Sequence, residues 1–303
     1  MAGSFSKAVL ARCVVEAIRD SIRLGMPRIR LACVRYLNTV PMIEGLEKDS
    51  GIELAPVVPS KISGLVSSGD CHAGLVSMID AVRSPVPLAI IPVGMIGCDG
   101  PTLTVRLFSR VPLDRVTRIH ADTDSHTSVV LCRLLIARLT GSLPEVVAFD
   151  ARERVSIPSA AGDGSEWPDS LLMIGDKVVT DSPPAVRYPH QLDLGEAWKA
   201  WTGLPFMYAA WMCREADAAQ PWVQRVATIL DRQLRHNLTR LDWITANRAA
   251  AFRWPPDLAR KYLVDLLRFT VDDRALQGAS RFLDEAAAAG LVVSRAVRCF
   301  RPI

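Results

Sequence analysis

Four short polar clusters stand where an alternation of strands and helices would bring a ligand: Asn38-Thr39, Pro59-Ser60, Ser125 to Ser128, and Gly175-Asp176. In open α/β sheets, small molecules bind beyond the carboxyl ends of strands and at helix N-termini, where free N–H groups and the helix dipole favour anions. Each cluster also has a plainer reading. Thr39 and Ser60 have the type and place of helix N-caps, and Ser125 or Asp124 can cap the helix that follows. Asn38 is the least easily explained that way, because Thr39 already fills the capping role.

Other chemistries find little support. The five histidines are dispersed, with no H-x-x-x-H and no Cys/His ligand spacing, so no metal site is expected. His126 reads as an exposed residue of a helix start. No G-x-G-x-x-G or G-x-x-x-x-G-K-[ST] is present to cradle a nucleotide, and no G-x-S-x-G elbow to raise a serine nucleophile. The seven tryptophans read as packing, as with Trp198 and Trp201.

The elements that must position the clusters follow from the pattern. "IRLACVRY" is a strand, and Thr39 with Pro41 starts a helix expected to run to about Lys48. "IELAPVV" is a strand, "PSKISGLVSSGD" a short helix capped by Ser60, and "HAGLVS" the next strand. "AIIPVGMIG" and "TLTVRLFS" are strands separated by the turn "GCDGP". "TRIHAD" is a strand. The following helix places Leu131, Leu134, Leu135 and Leu139 at core spacing and stops at Gly141. "PEVVAFD" and "SLLMIGD" are strands on either side of a loop or frayed helix at 152 to 170. Asp193 caps a helix that stops at Gly203, and "LPFMYAAWMC" is an apolar strand. From about Pro221 the chain is almost all helix, its last segment opening with a capping box from Thr270 to Asp273 and closing at Gly290. The fold class is α/β.

Composition sets the outer bounds. The chain has 303 residues, half of them apolar, enough for two α/β lobes. Its net charge of +4 arises from 36 basic and 32 acidic residues without a dense basic block, so no nucleic-acid partner is expected. Seven scattered cysteines, with no C-x-x-C, indicate a reducing cytoplasm. No stretch approaches the roughly 18 apolar residues of a membrane span. Residues 1 to 26 form an N-terminal extension, either an amphipathic helix or an over-long start, without the features of a secretory signal.

The linear order of "YLNTVP", "VPSKISGLVSSGDCHAGLVS", "DGPTLTVRLFS", "DSHTSV", "LLMIGD" and "DLGEAWKAWTGLPFMYAAW" resembles the chorismate dehydratase family of the futalosine route to menaquinone. The match covers roughly residues 28 to 290, and "LGEAWKAWTGLPF" is its most specific piece. The resemblance implies a two-lobed clamshell like the type II periplasmic binding proteins, without export. It places residues 27–112 with 207–303 in lobe one and 113–206 in lobe two, around a cleft for the dianion chorismate. No cofactor is implied. Catalytic roles carry over to Asn38, which matches the amide of "YLN", and to Thr104, which stands where the family usually has Ser. Substrate contacts carry over to Thr39, Ser60, Ser125, Thr127, Ser128 and Asp176. Hydroxyls and N–H groups at the helix start of Thr127 and Ser128 suit a carboxylate. An acid facing a dianion is unfavourable, so Asp176 is expected chiefly to hold the hinge or a neighbouring N–H. "VSMID" departs from the family's Pro and Glu. Two other readings stand beside the lyase: a non-catalytic clamshell binding a small anion, and a related enzyme of the same pathway cleaving a larger cyclic substrate.

Overall fold

The computed structural model describes residues 28–122, 125–149 and 168–300. The N-terminal extension, and all of the 152 to 170 segment before Pro168, lie outside the described residues, while Ser170 opens a strand.

Two sheets divide the chain. The first contains β1 (Ile29–Cys33), β2 (Ile52–Pro56), β3 (Ala73–Ser77) and β4 (Leu88–Cys98). The second contains β5 (Val105–Ser109), β6 (Arg118–Asp122), β7 (Glu145–Phe149), β8 (Ser170–Ile174) and β9 (His190–Asp193), in the order β7-β6-β8-β5-β9. The chain then returns: β10 (Phe206–Arg214) inserts antiparallel between β3 and β4, while β11 (Leu267–Arg268) and β12 (Arg298–Cys299) both pair with β4. The result is a two-lobed α/β clamshell. Because β5 pairs with β8 and β9, the chain changes sheets between Cys98 and Val105, not after 112 as the sequence reading has it. β1 pairs in parallel with both β2 and β3, so the carboxyl ends of β1 and β3 share one rim.

Asp193 holds both crossings together. Its carboxylate accepts the N–H groups of Thr102 (2.8 Å) and Leu103 (2.7 Å) in the outgoing crossing. It also caps helix Leu194–Thr202 by accepting from Gly195 and Glu196 at 3.1 and 3.2 Å. Gly195 is required by proximity, since a Cβ there would lie 2.1 Å from Thr102 Oγ1 and 2.6 Å from the Gly100 carbonyl. The "DLG" that opens "DLGEAWKAWTGLPFMYAAW" is therefore hinge architecture.

The helical tail packs on the first sheet. Helix Pro221–Leu238 buries Val223, Val226, Ala227, Leu230 and Leu234, a stripe at helical spacing. Full burial of such side chains contributes roughly 1.5–3 kcal/mol each. On the same helix the buried Asn237 amide donates to the carbonyls of Pro41 (3.1 Å) and Glu44 (2.8 Å), satisfying groups that a helix end leaves unpaired. Trp198, Phe206 and Phe282 pack edge to face in the core.

Several local expectations are corrected. Thr39 occupies the N-cap position of helix Val40–Ile43 but makes no capping bond: it has helical backbone and its hydroxyl donates to Asn38 Oδ1 at 3.1 Å. The helix begun there, Val40–Ile43, breaks at Gly45 (φ +89°) and resumes only as a 3-10 turn at Leu46–Lys48. Ser60 lies inside helix Pro59–Ser68, whose N-cap position is Val58 and which is started by Pro59. Leu139 is 52% exposed, because the apolar run outlasts the face that packs. Helix Asp273–Ala288 is capped by Asp272, which accepts from Ala275 N at 2.7 Å, not by a box from Thr270. "VSMID" starts a helix, Met78–Arg83, with Ser77 as its cap. "PDLARKYLVDLLRF" is one helical turn (Pro256–Arg260), a π-helical turn (Lys261–Leu266) and β11.

Candidate functional site

The rim at the ends of β1 and β3 faces the carboxyl end of β8, and between them lies a cleft enclosing about 660 Å³ of space, its open mouth included. Its polar lining comes from Asn38, Ser77 and Tyr208 on the first sheet's side, from Thr102 and Thr104 in the crossing, and from Ser125, Thr127 and Ser128 at a helix start. Tyr262 of the tail closes it. The cleft thus lies where an open α/β sheet places ligands.

Asn38 ends the segment leaving β1 and is nine-tenths buried. The Thr39 hydroxyl fixes its amide oxygen, and the amide hydrogen-bonds the Tyr262 phenol. Across the cleft, Thr104 Oγ1 lies 2.7 Å from Tyr262 OH. Gly175, at φ +68°, turns the chain at the end of β8 so that its N–H reaches the Thr104 carbonyl at 2.8 Å. A second pair, Thr102 Oγ1 and Tyr208 OH, is 2.8 Å apart, with Cys98 Sγ 3.2 Å from Thr102 Oγ1. Burial holds both phenols above their ordinary pKa and the Cys98 thiol at about 11, so these groups stay neutral.

Ser125 caps helix His126–Thr140, its hydroxyl accepting from Ser128 N at 3.2 Å. Thr127 Oγ1 accepts from Ile79 N at 3.1 Å. A hydroxyl oxygen that already accepts an N–H still has its own proton to donate. These positions, with the N-terminal end of the helix dipole behind them, therefore offer donors to an anion. Among the described residues, no Lys or Arg lines the cleft.

Bonds across the cleft hold the lobes together. Asp176 accepts from Leu37 N at 3.2 Å and from Trp254 Nε1 at 2.9 Å. Burial raises its carboxyl to about 6, opposed by the Leu37 N–H, Trp254 and Arg253. His126 Nδ1 lies 2.5 Å from Asp80 Oδ1, and that hydrogen bond raises the imidazole above its ordinary pKa. Arg253 pairs with Asp181 at 3.0 Å.

Of the residues singled out in the sequence, Asn38, Thr104, Ser125, Thr127 and Ser128 meet at the cleft. Thr39 stands behind it as the orienting partner of Asn38, and Pro59, not Ser60, reaches the lining. Gly175 lines the cleft, while the Asp176 carboxylate is absent from the lining and latches Leu37 to Trp254. Sequence reasoning misses Thr102, Tyr208 and Tyr262. Tyr208 left one trace, as a phenol within an apolar strand, whereas Tyr262 sits in an apolar run that reads as core.

Comparison with known proteins bears on the family and the fold. Residues 29–288 match the family model described as menaquinone biosynthesis. The chain is 27% identical, over 254 residues, to the chorismate dehydratase of Thermus thermophilus, covering 79% of this chain and 86% of that one. Among solved structures, it resembles a Candida albicans protein with the generic periplasmic binding protein fold, at TM-score 0.62 and 11% identity over 89% of this chain and 92% of that one. It also resembles the alkanesulfonate-binding protein of Xanthomonas axonopodis pv. citri bound to MOPS, at TM-score 0.59 and 13% identity over 90% and 96% of the two chains.

Proposed function

Because the chain belongs to the menaquinone-biosynthesis family, we propose that it is an enzyme of that pathway, a hydro-lyase converting chorismate to 3-[(1-carboxyvinyl)oxy]benzoate and water. The observation that carries the reading is the convergence of the Asn38 amide, in the turn after β1, and the Thr104 hydroxyl, just before β5, on one cleft furnished with neutral donors.

Chorismate has two carboxylates, and its ring becomes aromatic when it loses a ring proton and hydroxide as water. That driving force is intrinsic, so the protein must mainly position the substrate and choose which bond breaks. The donors of Ser125, Thr127 and Ser128 at the helix start receive one carboxylate. Asn38 donates to a ring carboxylate or to charge developing beside it. Thr104 closes the opposite wall. The substrate's own enolpyruvyl carboxylate takes the ring proton, which accounts for the absence of a His/Glu pair from the described lining. The buried Cys33, Cys71, Cys98, Cys132 and Cys213 are free thiols, which supports a cytoplasmic site of action.

The alternative is a non-catalytic binding protein, favoured by the likeness to the alkanesulfonate-binding clamshell. Incubation with chorismate separates the two. The lyase reading expects stoichiometric loss of chorismate and a product lighter by one water. Chorismate bound and recovered intact supports the binding protein.

A further inference from the structure

Tyr262 has no part in the steps above, yet it touches both residues that carry them. Its side chain is buried, its OH lies 2.7 Å from Thr104 Oγ1, and the Asn38 amide hydrogen-bonds it. Its ring stacks on Trp254 with centroids 4.9 Å apart and planes 16° from parallel, and the Trp254 indole is itself tied to Asp176 at 2.9 Å. Tyr262 also stands in the π-helical turn Lys261–Leu266, a local irregularity of the kind that re-aims side chains at functional sites.

The directions of these bonds follow from donor and acceptor inventory. The Thr39 hydroxyl donates to Asn38 Oδ1, which leaves the amide NH₂ to face the phenol. An NH₂ group only donates, so the Tyr262 oxygen accepts from Asn38. With its oxygen accepting from Asn38, the phenol has its proton to give to Thr104 Oγ1, 2.7 Å away, and in that arrangement the Thr104 proton points elsewhere.

We propose that Tyr262 is a positioning residue that fixes the polarity of this hydrogen-bond chain, from Thr39 through Asn38 and Tyr262 to Thr104, so that Thr104 presents its hydroxyl proton to the ligand in the cleft. The kinetic readout of this role rests on the dehydratase reading, while the geometry behind it does not. Tyr262 remains a neutral phenol across the working pH range, because burial raises its pKa.

Tyr262→Phe keeps the ring and its stacking on Trp254 and removes only the hydroxyl. Its kcat for chorismate is expected to fall by about 100-fold, the scale of a misaligned catalytic group, with KM within about 3-fold. In a Thr104→Val background the same change should add less than about 2-fold, since residues acting through one another are not additive. Turnover of Tyr262→Phe within about 2-fold of wild type, or losses that multiply in the double variant, overturns the proposal. If the wild type does not convert chorismate, it is the dehydratase reading that has failed, and the side-chain amide resonances of Asn38 in ¹H–¹⁵N spectra decide the positioning role. A shift of those resonances in Tyr262→Phe supports it, and their coincidence with wild type overturns it.

Discussion

Thr104 Oγ1 and Tyr262 OH lie 2.7 Å apart although 158 residues separate them. One residue stands where the chain enters the second sheet, the other on a tail that has returned to the first sheet. The cleft is therefore complete only when the tail has docked, and its chemistry depends on both crossings between the lobes.

Asn38→Ala removes an amide that Thr39 orients from behind. The variant is expected to lose about 10²- to 10³-fold in kcat, the usual cost of one oriented donor at developing charge. Steady-state kinetics beside a thermal melt check this, with the melt expected to move by only a few degrees. Equal activity in the variant removes Asn38 from the site.

At Thr104 the two conservative changes are expected to diverge. Thr104→Ser keeps the hydroxyl and should retain activity within about 10-fold. Thr104→Val removes a partner of the buried Tyr262 phenol, and leaving such a group unsatisfied costs about 1–3 kcal/mol. Its turnover should fall with its stability, as measured by urea unfolding and kcat on the same preparation.

The Asp176 latch gives a pH signature. Burial raises its carboxyl from 3.8 to about 6 in the folded chain. Between those values the folded state binds more protons than the unfolded one, so stability is greatest below the lower value and declines as pH rises towards the upper one. Two units correspond to about 3 kcal/mol. Asp176→Asn does not titrate, so the stability of wild type relative to this variant should be larger at pH 4 than at pH 7 by roughly that amount. Urea unfolding of both proteins at the two pH values reads it, and a difference independent of pH would mean that the carboxylate is solvated.

Two glycines predict opposite outcomes. In Gly195→Ala the new Cβ would lie 2.1 Å from Thr102 Oγ1 and 2.6 Å from the Gly100 carbonyl, so it should lose about 1–3 kcal/mol by overpacking the hinge. In Gly64→Ala, inside helix Pro59–Ser68, nothing lies within 4 Å of the new Cβ, and a gain of about 0.4–1 kcal/mol is expected. Denaturant unfolding of the pair compares them directly.

The strand and helix order was legible in the sequence because apolar period and turn residues are local signals, and Asp193, Gly141 and Gly203 act as helix boundaries where their types place them. Asn38 stood out because an amide next to a helix start has no local task. Thr39 and Ser60 have the residue type of caps, yet Thr39 stands at an N-cap position without a capping bond and Ser60 lies one residue inside its helix start. Asp176 was expected to hold a neighbouring N–H, which the Leu37 bond supplies, but its partner Trp254 lies 78 residues on and sends no local signal. Tyr262 was hidden for the same reason: "KYLVDLL" reads as core helix, and only the return of the tail and its π turn aim the phenol at the cleft.

The most direct test of the central claim is a single-turnover experiment with enzyme in excess over chorismate, following both compounds by mass. The account predicts complete conversion to 3-[(1-carboxyvinyl)oxy]benzoate by the wild type, and chorismate bound but unconverted on the same timescale in Asn38→Ala. Chorismate held by the folded wild type and recovered unchanged would contradict it.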